Sequence, residues 1–155
     1  MSFRPIPFVS TSVDPRVDEI EKHYIQTGQI TIATTSNSDL NLIVPRRLKL
    51  DSIYVVGGAT LTADDTNYIT WTAVNITNSN AAMLSTADTN TTKATGGSTL
   101  TLNVARALIL TSTDASLKVS ANDVIRLRAA ATGTLANTVT AYTATFTFSD
   151  NLYKG

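Results

Sequence analysis

The clearest pattern in the chain is strict alternation near its C-terminal end. Tyr142, Ala144, Phe146 and Phe148 fall on one face, and Thr143, Thr145 and Thr147 on the other. A period of two over this length predicts a half-buried antiparallel strand. It also sets register, because a slip of one residue would turn both phenylalanines toward water. Upstream, the turn Asn122-Asp123 opens a strand that runs from Val124, and Thr132-Gly133-Thr134 reads as a loop. Asn122–Ser149 is therefore expected to be the closing hairpin of the fold.

The same reading extends backwards. Leu48–Val56 is a strong strand ending in Gly57-Gly58, but its phase is mixed. Leu48, Leu50, Tyr54 and Val56 fall on one side, and Ile53 and Val55 on the other. Apolar residues on both faces suggest a central strand or one covered by a partner. In Tyr68–Thr77, Ile69, Trp71 and Ala73 share a face, with Tyr68, Val74 and Ile76 opposite. Gln29–Ser36 is expected as the first strand, Asn37-Ser38-Asp39 as a turn, and Leu40–Val44 as the second strand. Pro45-Arg46-Arg47 stops that strand and reads as a solvated loop. Asn78–Ser98 is polar and small-residue-rich, the pattern of a long exposed loop and of a contact surface, with a short helical or strand piece at Ala81–Ser85. Alternation resumes over Thr99–Val104 and Ala107–Leu110. Arg106 falls in the inward phase, so a bulge or break is expected there rather than a buried arginine. Leu117–Val119 is a short strand. About eight strands with short turns predict an all-β fold: an antiparallel β-sandwich, most simply an eight-stranded jelly roll.

The first 27 residues differ from the rest. Prolines at 5 and 7 hold Phe3–Val9 extended, because each fixes its own φ and restricts its predecessor. Asp14-Pro15 resembles a helix start, and Val17, Ile20 and Tyr24 lie at helical spacing, predicting a short helix over 15–26. The expected organisation is an N-terminal arm over 1–27, closed by Gly28, and a sandwich domain over 28–155. The arm either folds on its own domain or carries Phe3, Ile6, Phe8 and Val9 onto a neighbouring subunit.

Composition narrows the function classes. Lys+Arg and Asp+Glu balance at 12 each, so the basic excess usual in a nucleic-acid-binding domain is missing. Charged residues are only 15% while threonine supplies 27 of 155 positions, so hydroxyls cover surface that Lys and Glu cover elsewhere. A neutral surface favours association over life as a monomer. No apolar run approaches the roughly 18 residues of a membrane span, and no basic-then-apolar secretory signal opens the chain. The chain has no cysteine, which excludes disulfides and Cys-based zinc sites.

Candidate chemistry is thin. His23 is the only histidine, and a surface position on the arm suits it better than the role of a catalytic base. Asp64-Asp65 could suggest calcium, but the spacing of a calcium loop is missing and a plain turn is the simpler reading. Trp71 is expected in the core, and Tyr68 and Trp71 are the aromatics that could instead stack on a ligand or fill an interface. No catalytic residue, cofactor or metal is expected, and the chain is not read as an enzyme.

Leu48–Ala59, the Tyr68–Thr77 strand, Val119-Ser120-Ala121-Asn122-Asp123-Val124-Ile125-Arg126-Leu127 and the Phe-Thr-Phe terminal strand together resemble small jelly-roll proteins of tailed-phage virions. In that group an Ala-Gly-Asp turn often introduces the strand before the last hairpin. Here Asn122 stands where glycine is usual, a tolerated exchange because Asn adopts the left-handed region. The resemblance spans roughly residues 28–149 and implies a capsid decoration (cement) protein on the virion exterior. It implies the major capsid protein as partner, a homotrimer, and a capsid-binding arm carrying Phe3, Arg4, Ile6, Phe8 and Val9. The alternative is a receptor- or carbohydrate-binding module of a phage tail or fibre that uses Trp71 and Tyr68. A small cellular binding sandwich is a third class.

Overall fold

Alternating segments fold into two antiparallel sheets packed face to face in the computed structural model, which describes residues 23–32, 34–86, 90–135 and 139–150. In chain order the strands are β1 (His23–Ile32), β2 (Ser38–Ile43), β3 (Leu48–Val56), β4 (Tyr68–Asn75), β5 (Ala81–Ala82), β6 (Ala105–Leu108), β7 (Lys118–Val119), β8 (Val124–Thr132) and β9 (Val139–Asp150). A single turn of helix, α1 (Asp114–Leu117), precedes β7. The first sheet has the order β1-β9-β3-β6, with β7 also on β3; the second has β2-β8-β4-β5. Since β9 takes one edge of β3, β6 and β7 share the other end to end, which leaves eight strand positions.

The pairing is nested. β1 pairs with β9, β2 with β8, β3 with β6 and β7, and β4 with β5, all antiparallel. Successive pairs alternate between the two sheets, so one long folded-back ribbon is rolled into a sandwich. That is the jelly roll the alternation predicts.

The core lies between the sheets. Tyr142, Ala144, Phe146 and Phe148 of β9 are fully buried, as their shared phase requires. Phe146 stacks near Phe148 with centroids 6.5 Å apart, and Tyr24 of β1 packs on Phe148 at 6.1 Å. The second sheet contributes Ile69, Trp71, Ala73, Ile125, Leu127 and Ala129. The turn before β8 takes the expected backbone form, with Asn122 at φ +68°. Asp123 closes it by accepting from Ser120 N (2.9 Å) and from the Nδ2 of the buried Asn75 (2.7 Å).

One expectation fails outright. Asn122–Ser149 is not a hairpin, because β8 pairs with β2 and β4 in the second sheet while β9 pairs with β1 and β3 in the first, so the two strands face each other across the core instead of sharing a ladder. Five further expectations change. First, β1 begins at His23, six residues before the expected strand, so residues 23–26 are strand rather than the end of a helix. Tyr24 answers to the period-two pattern of the sheet, and Gly28 lies inside β1 instead of closing an arm. It is small because a Cβ there would come within 2.6 Å of the Leu40 methyl groups. The remainder of the expected helix lies outside the described residues. Second, Ser38 and Asp39 begin β2, and the bend falls earlier, at 34–36.

Third, β3 is a central strand, between β9 and β6 with β7, as one alternative had it, but its mixed phase comes from a bulge. Register against β9 shifts between Leu50 and Ser52, and this extra residue turns Ile53 and Val55 inward beside Leu48 and Leu50. Tyr54 consequently faces out. Fourth, Asn78–Ser98 is not a long exposed loop. Met83, Leu84, Asn90, Thr91 and Thr92 are buried, and this stretch is woven along the edge of the second sheet. Thr92 N donates to Ile69 O (2.8 Å), and Thr91 and Leu84 form single bridges to Thr70 and Leu110. Fifth, Thr99–Val104 holds only isolated bridges, at Leu100 and Leu102, and the strand is Ala105–Leu108, in which Arg106 lies opposite Val55 with no bulge. Its guanidinium sits 5.0 Å from the Trp71 ring centre and donates to Thr91 O (2.6 Å) and Ser98 O (2.8 Å). A half-buried cation persists because an aromatic face and two carbonyl oxygens replace water.

Candidate interaction surfaces

The two outer faces of the sandwich differ in kind. On the first sheet the register sets the outward residues in three rows. Thr147 lies between Ile25 and Ser52, Thr145 between Thr27 and Tyr54, and Thr143 between Gln29 and Val56. Beyond β3, Ala107 continues the Thr145 row and Ala105 the Thr143 row. None of these residues is charged. Ile25 is 61% exposed and Tyr54 42% exposed, so the face presents hydroxyl and apolar groups together. Contiguous exposed apolar groups commonly mark contact with another molecule.

The second sheet carries charge on its outer face. Arg128 grips Asp39 with two parallel bonds of 2.7 Å, from Nε and from an Nη. This guanidinium holds the Asp39 carboxyl below the usual range, and Arg126 lies one row away beside Asn41. Other ion pairs gather at one end of the sandwich. Asp114 receives Lys49 Nζ at 2.6 Å and Lys118 Nζ at 2.7 Å, and Arg46 meets Asp150 at 3.1 Å.

The bond from Lys118, then that from Lys49, lowers the Asp114 carboxyl to about 2. A depressed carboxyl stabilises the fold above its unfolded value, and the contribution disappears as pH falls through the folded one. Asp114→Asn is therefore expected to remove a part of the pH dependence of stability between about pH 4 and pH 2. Urea unfolding of both proteins across that window checks it. Because the carboxyl is exposed, the effect is small and fades in high salt.

Trp71 is 1% exposed, in the core as its phase predicts and beneath Arg106, so it presents no surface on which a sugar could stack. Tyr68 is half-buried at the start of β4, with Lys93 Nζ 5.9 Å from its ring centre. The two aromatics do not form one site. Phe3, Arg4, Ile6, Phe8 and Val9 lie outside the described residues. Asp64 and Asp65 serve turns. Asp64 Oδ1 accepts from Thr66 N (2.6 Å) and Asn67 N (2.7 Å), while Asp65 holds Thr95 through its amide and hydroxyl. The depression beside them, about 180 Å³ and lined by Thr60, Leu61, Asp64, Asn67 and Thr134, is smaller than the roughly 300 Å³ at which ligand pockets begin. Among the described residues no three His, Cys, Asp or Glu side chains gather as a metal site.

Sequence reading found the threonine ladder of β9 but not the surface it belongs to. Only the register brings Thr27, Tyr54 and Ala107 beside Thr145. Compared with known proteins, the chain matches no family model, no curated protein and no solved structure.

Proposed function

We propose that this protein is a structural component of a virion, a decoration protein that binds the outer surface of a phage capsid and clamps neighbouring capsid subunits. The observation that carries this reading is an uncharged field on the outer face of the first sheet, eleven residues across four strands without an Asp, Glu, Lys or Arg, with the charges of that face, Lys49, Asp51 and Lys118, set at one end of it. A face of this kind loses little by desolvation and gains by apolar burial, which suits a permanent contact. The chain also enters this sheet through an edge strand. The residues before His23, with Phe3, Arg4, Ile6, Phe8 and Val9, precede that strand in the chain and are the tether in this reading. Clamping then combines a flat contact with a tether, and each raises the effective concentration of the other.

The test is cosedimentation with expanded, DNA-free phage shells, comparing the full chain with one that begins at His23. Residues 23–26 are retained because they belong to β1. The full chain is expected to pellet with shells. The shortened chain is expected to bind at least tenfold more weakly while keeping the far-ultraviolet spectrum of a β-protein. Equal binding by both would refute the arm, and no pelleting of the full chain would refute the decoration role. The receptor- or carbohydrate-binding alternative called on Trp71 and Tyr68 together on an exposed face, and with Trp71 in the core and Tyr68 half-buried no observation favours it.

A further inference from the structure

The free edge of β1 is the one long edge of the described sandwich with no device against pairing. β1 ends the first sheet, and among the described residues its only strand partner is β9. Natural edge strands are shortened, charged, broken by proline or covered, because a bare edge templates pairing with another chain. The other edges follow this rule. β5 has two residues and β6 has four, and β2 carries Asp39 clamped by Arg128. β1 has ten residues, His-Tyr-Ile-Gln-Thr-Gly-Gln-Ile-Thr-Ile, with no Asp, Glu, Lys, Arg or Pro. Its one register shift lies near its end, between Ile30 and Ile32, and leaves residues 23–30 regular.

We propose that the occupant of this edge is a second copy of the chain, with β1 pairing antiparallel to its own copy about a two-fold axis. Antiparallel pairing of a strand with itself satisfies the edges of both copies at once and closes the assembly about the two-fold axis. Nothing in β1 opposes it. In a pairing centred on Thr27, that residue meets its own copy and Ile25 meets Gln29, so no like charges face each other. The area is sufficient. β1 and β2 lie on the same flank of the sandwich, where Leu40 closes on Gly28. A flank of about 34 Å along a ten-residue strand and about 20 Å across two sheets offers roughly 700 Å² per copy. That approaches the roughly 800 Å² per partner of a standard stable interface. Pairing would also join the two uncharged faces into one continuous surface, twice as wide.

Sedimentation equilibrium of the full chain, without shells, tests this independently of the capsid reading. The wild type is expected to form a concentration-dependent dimer. Thr27→Lys sets two ammonium groups against each other at the two-fold axis, and is expected to weaken the dimer at least tenfold. Thr27 is exposed, so this variant keeps its fold, to be verified by circular dichroism. Val104→Lys, an exposed position beside β6 at the opposite edge of the first sheet, is the control and is expected to leave the dimer intact. Amide exchange adds a second measurement: alternate β1 amides are protected in the wild-type dimer and exchange quickly in the Thr27→Lys protein. A monomer at every concentration would overturn the proposal. So would a dimer or trimer whose mass Thr27→Lys leaves unchanged, or association lost on removing residues 1–22 but untouched by Thr27→Lys.

Discussion

Asn90→Asp is expected to cost about 4 kcal/mol of stability at neutral pH, more than the roughly 3 kcal/mol expected for Asn90→Ala. The side chain is only 2% exposed and spends its whole amide on backbone. Nδ2 donates to Ser85 O (3.1 Å) and Ile109 O (2.9 Å), and Oδ1 accepts from Ile109 N (2.7 Å). It therefore joins two segments where a strand ladder would otherwise be needed. Alanine removes all three bonds and leaves Ile109 N without its side-chain acceptor, while Ile109 O still accepts from Ser85 N (2.9 Å). Aspartate does more harm, since it keeps one bond but sets a carboxylate against two carbonyl oxygens. The introduced acid would have a raised pKa in the folded state, so the folded protein would bind the proton more tightly. By linkage, stability of the variant then falls as pH rises above the unfolded value near 4. Urea unfolding at pH 4 and pH 7 is the measurement, with the larger deficit expected at pH 7. An unchanged midpoint at both would show that Asn90 is not the clasp.

Arg106→Lys is expected to be nearly as damaging as Arg106→Met, each costing about 2–3 kcal/mol. One guanidinium stacks on Trp71 while reaching two carbonyls, Thr91 O and Ser98 O, in different directions. A lysine has the charge but neither the plane nor the fork. Burial pushes the Arg106 pKa down, yet an arginine starts high enough to remain charged. Thermal unfolding gives the stability change. Trp71 is the sole tryptophan, so its fluorescence reports the loss of the cover directly, and both variants are expected to shift it to longer wavelength. A lysine variant as stable as the wild type would mean that charge alone is what the site needs.

Sequence reading succeeded where local pattern and tertiary environment agree. The β9 alternation from Tyr142 to Phe148 and the inward row Ile69-Trp71-Ala73 follow from period two alone, and the bounds of β3 from an apolar run stopped by Gly57-Gly58. It failed where one residue changes the count or where polar groups turn inward. The bulge between Leu50 and Ser52 inverts the apparent phase of β3, and nothing in Leu-Asp-Ser-Ile marks it. Asn90, Thr91 and Thr92 look like surface residues by composition, yet they are buried because they satisfy backbone groups of β4 and of the chain near Ile109. Arg106 was visible as an anomaly of phase, but its compensation, Trp71, lies 35 residues away in the other sheet. At the N-terminal boundary, helical spacing of Val17, Ile20 and Tyr24 competed with strand alternation from Tyr24 onward, and pairing with β9 decided it. The uncharged outer face was legible only as one strip of threonines, because the other strips come from segments that register alone aligns.

The nested pairing of strands also dictates when this chain can fold. β1 hydrogen-bonds to the last strand of the domain, with His23 opposite Ser149, and β2 to the one before it. During synthesis the first half of the domain therefore emerges without its partners, and the ladder of β1 cannot form until β9 has left the ribosome. Loop closure on this scale is slow, so folding is expected in milliseconds to seconds rather than microseconds. For that interval the apolar sides of β1 to β4 stand open beside an edge with no charge to repel a neighbour. A protein built this way meets its greatest risk of aggregation before it is complete, and accumulates best where nascent chains are kept apart.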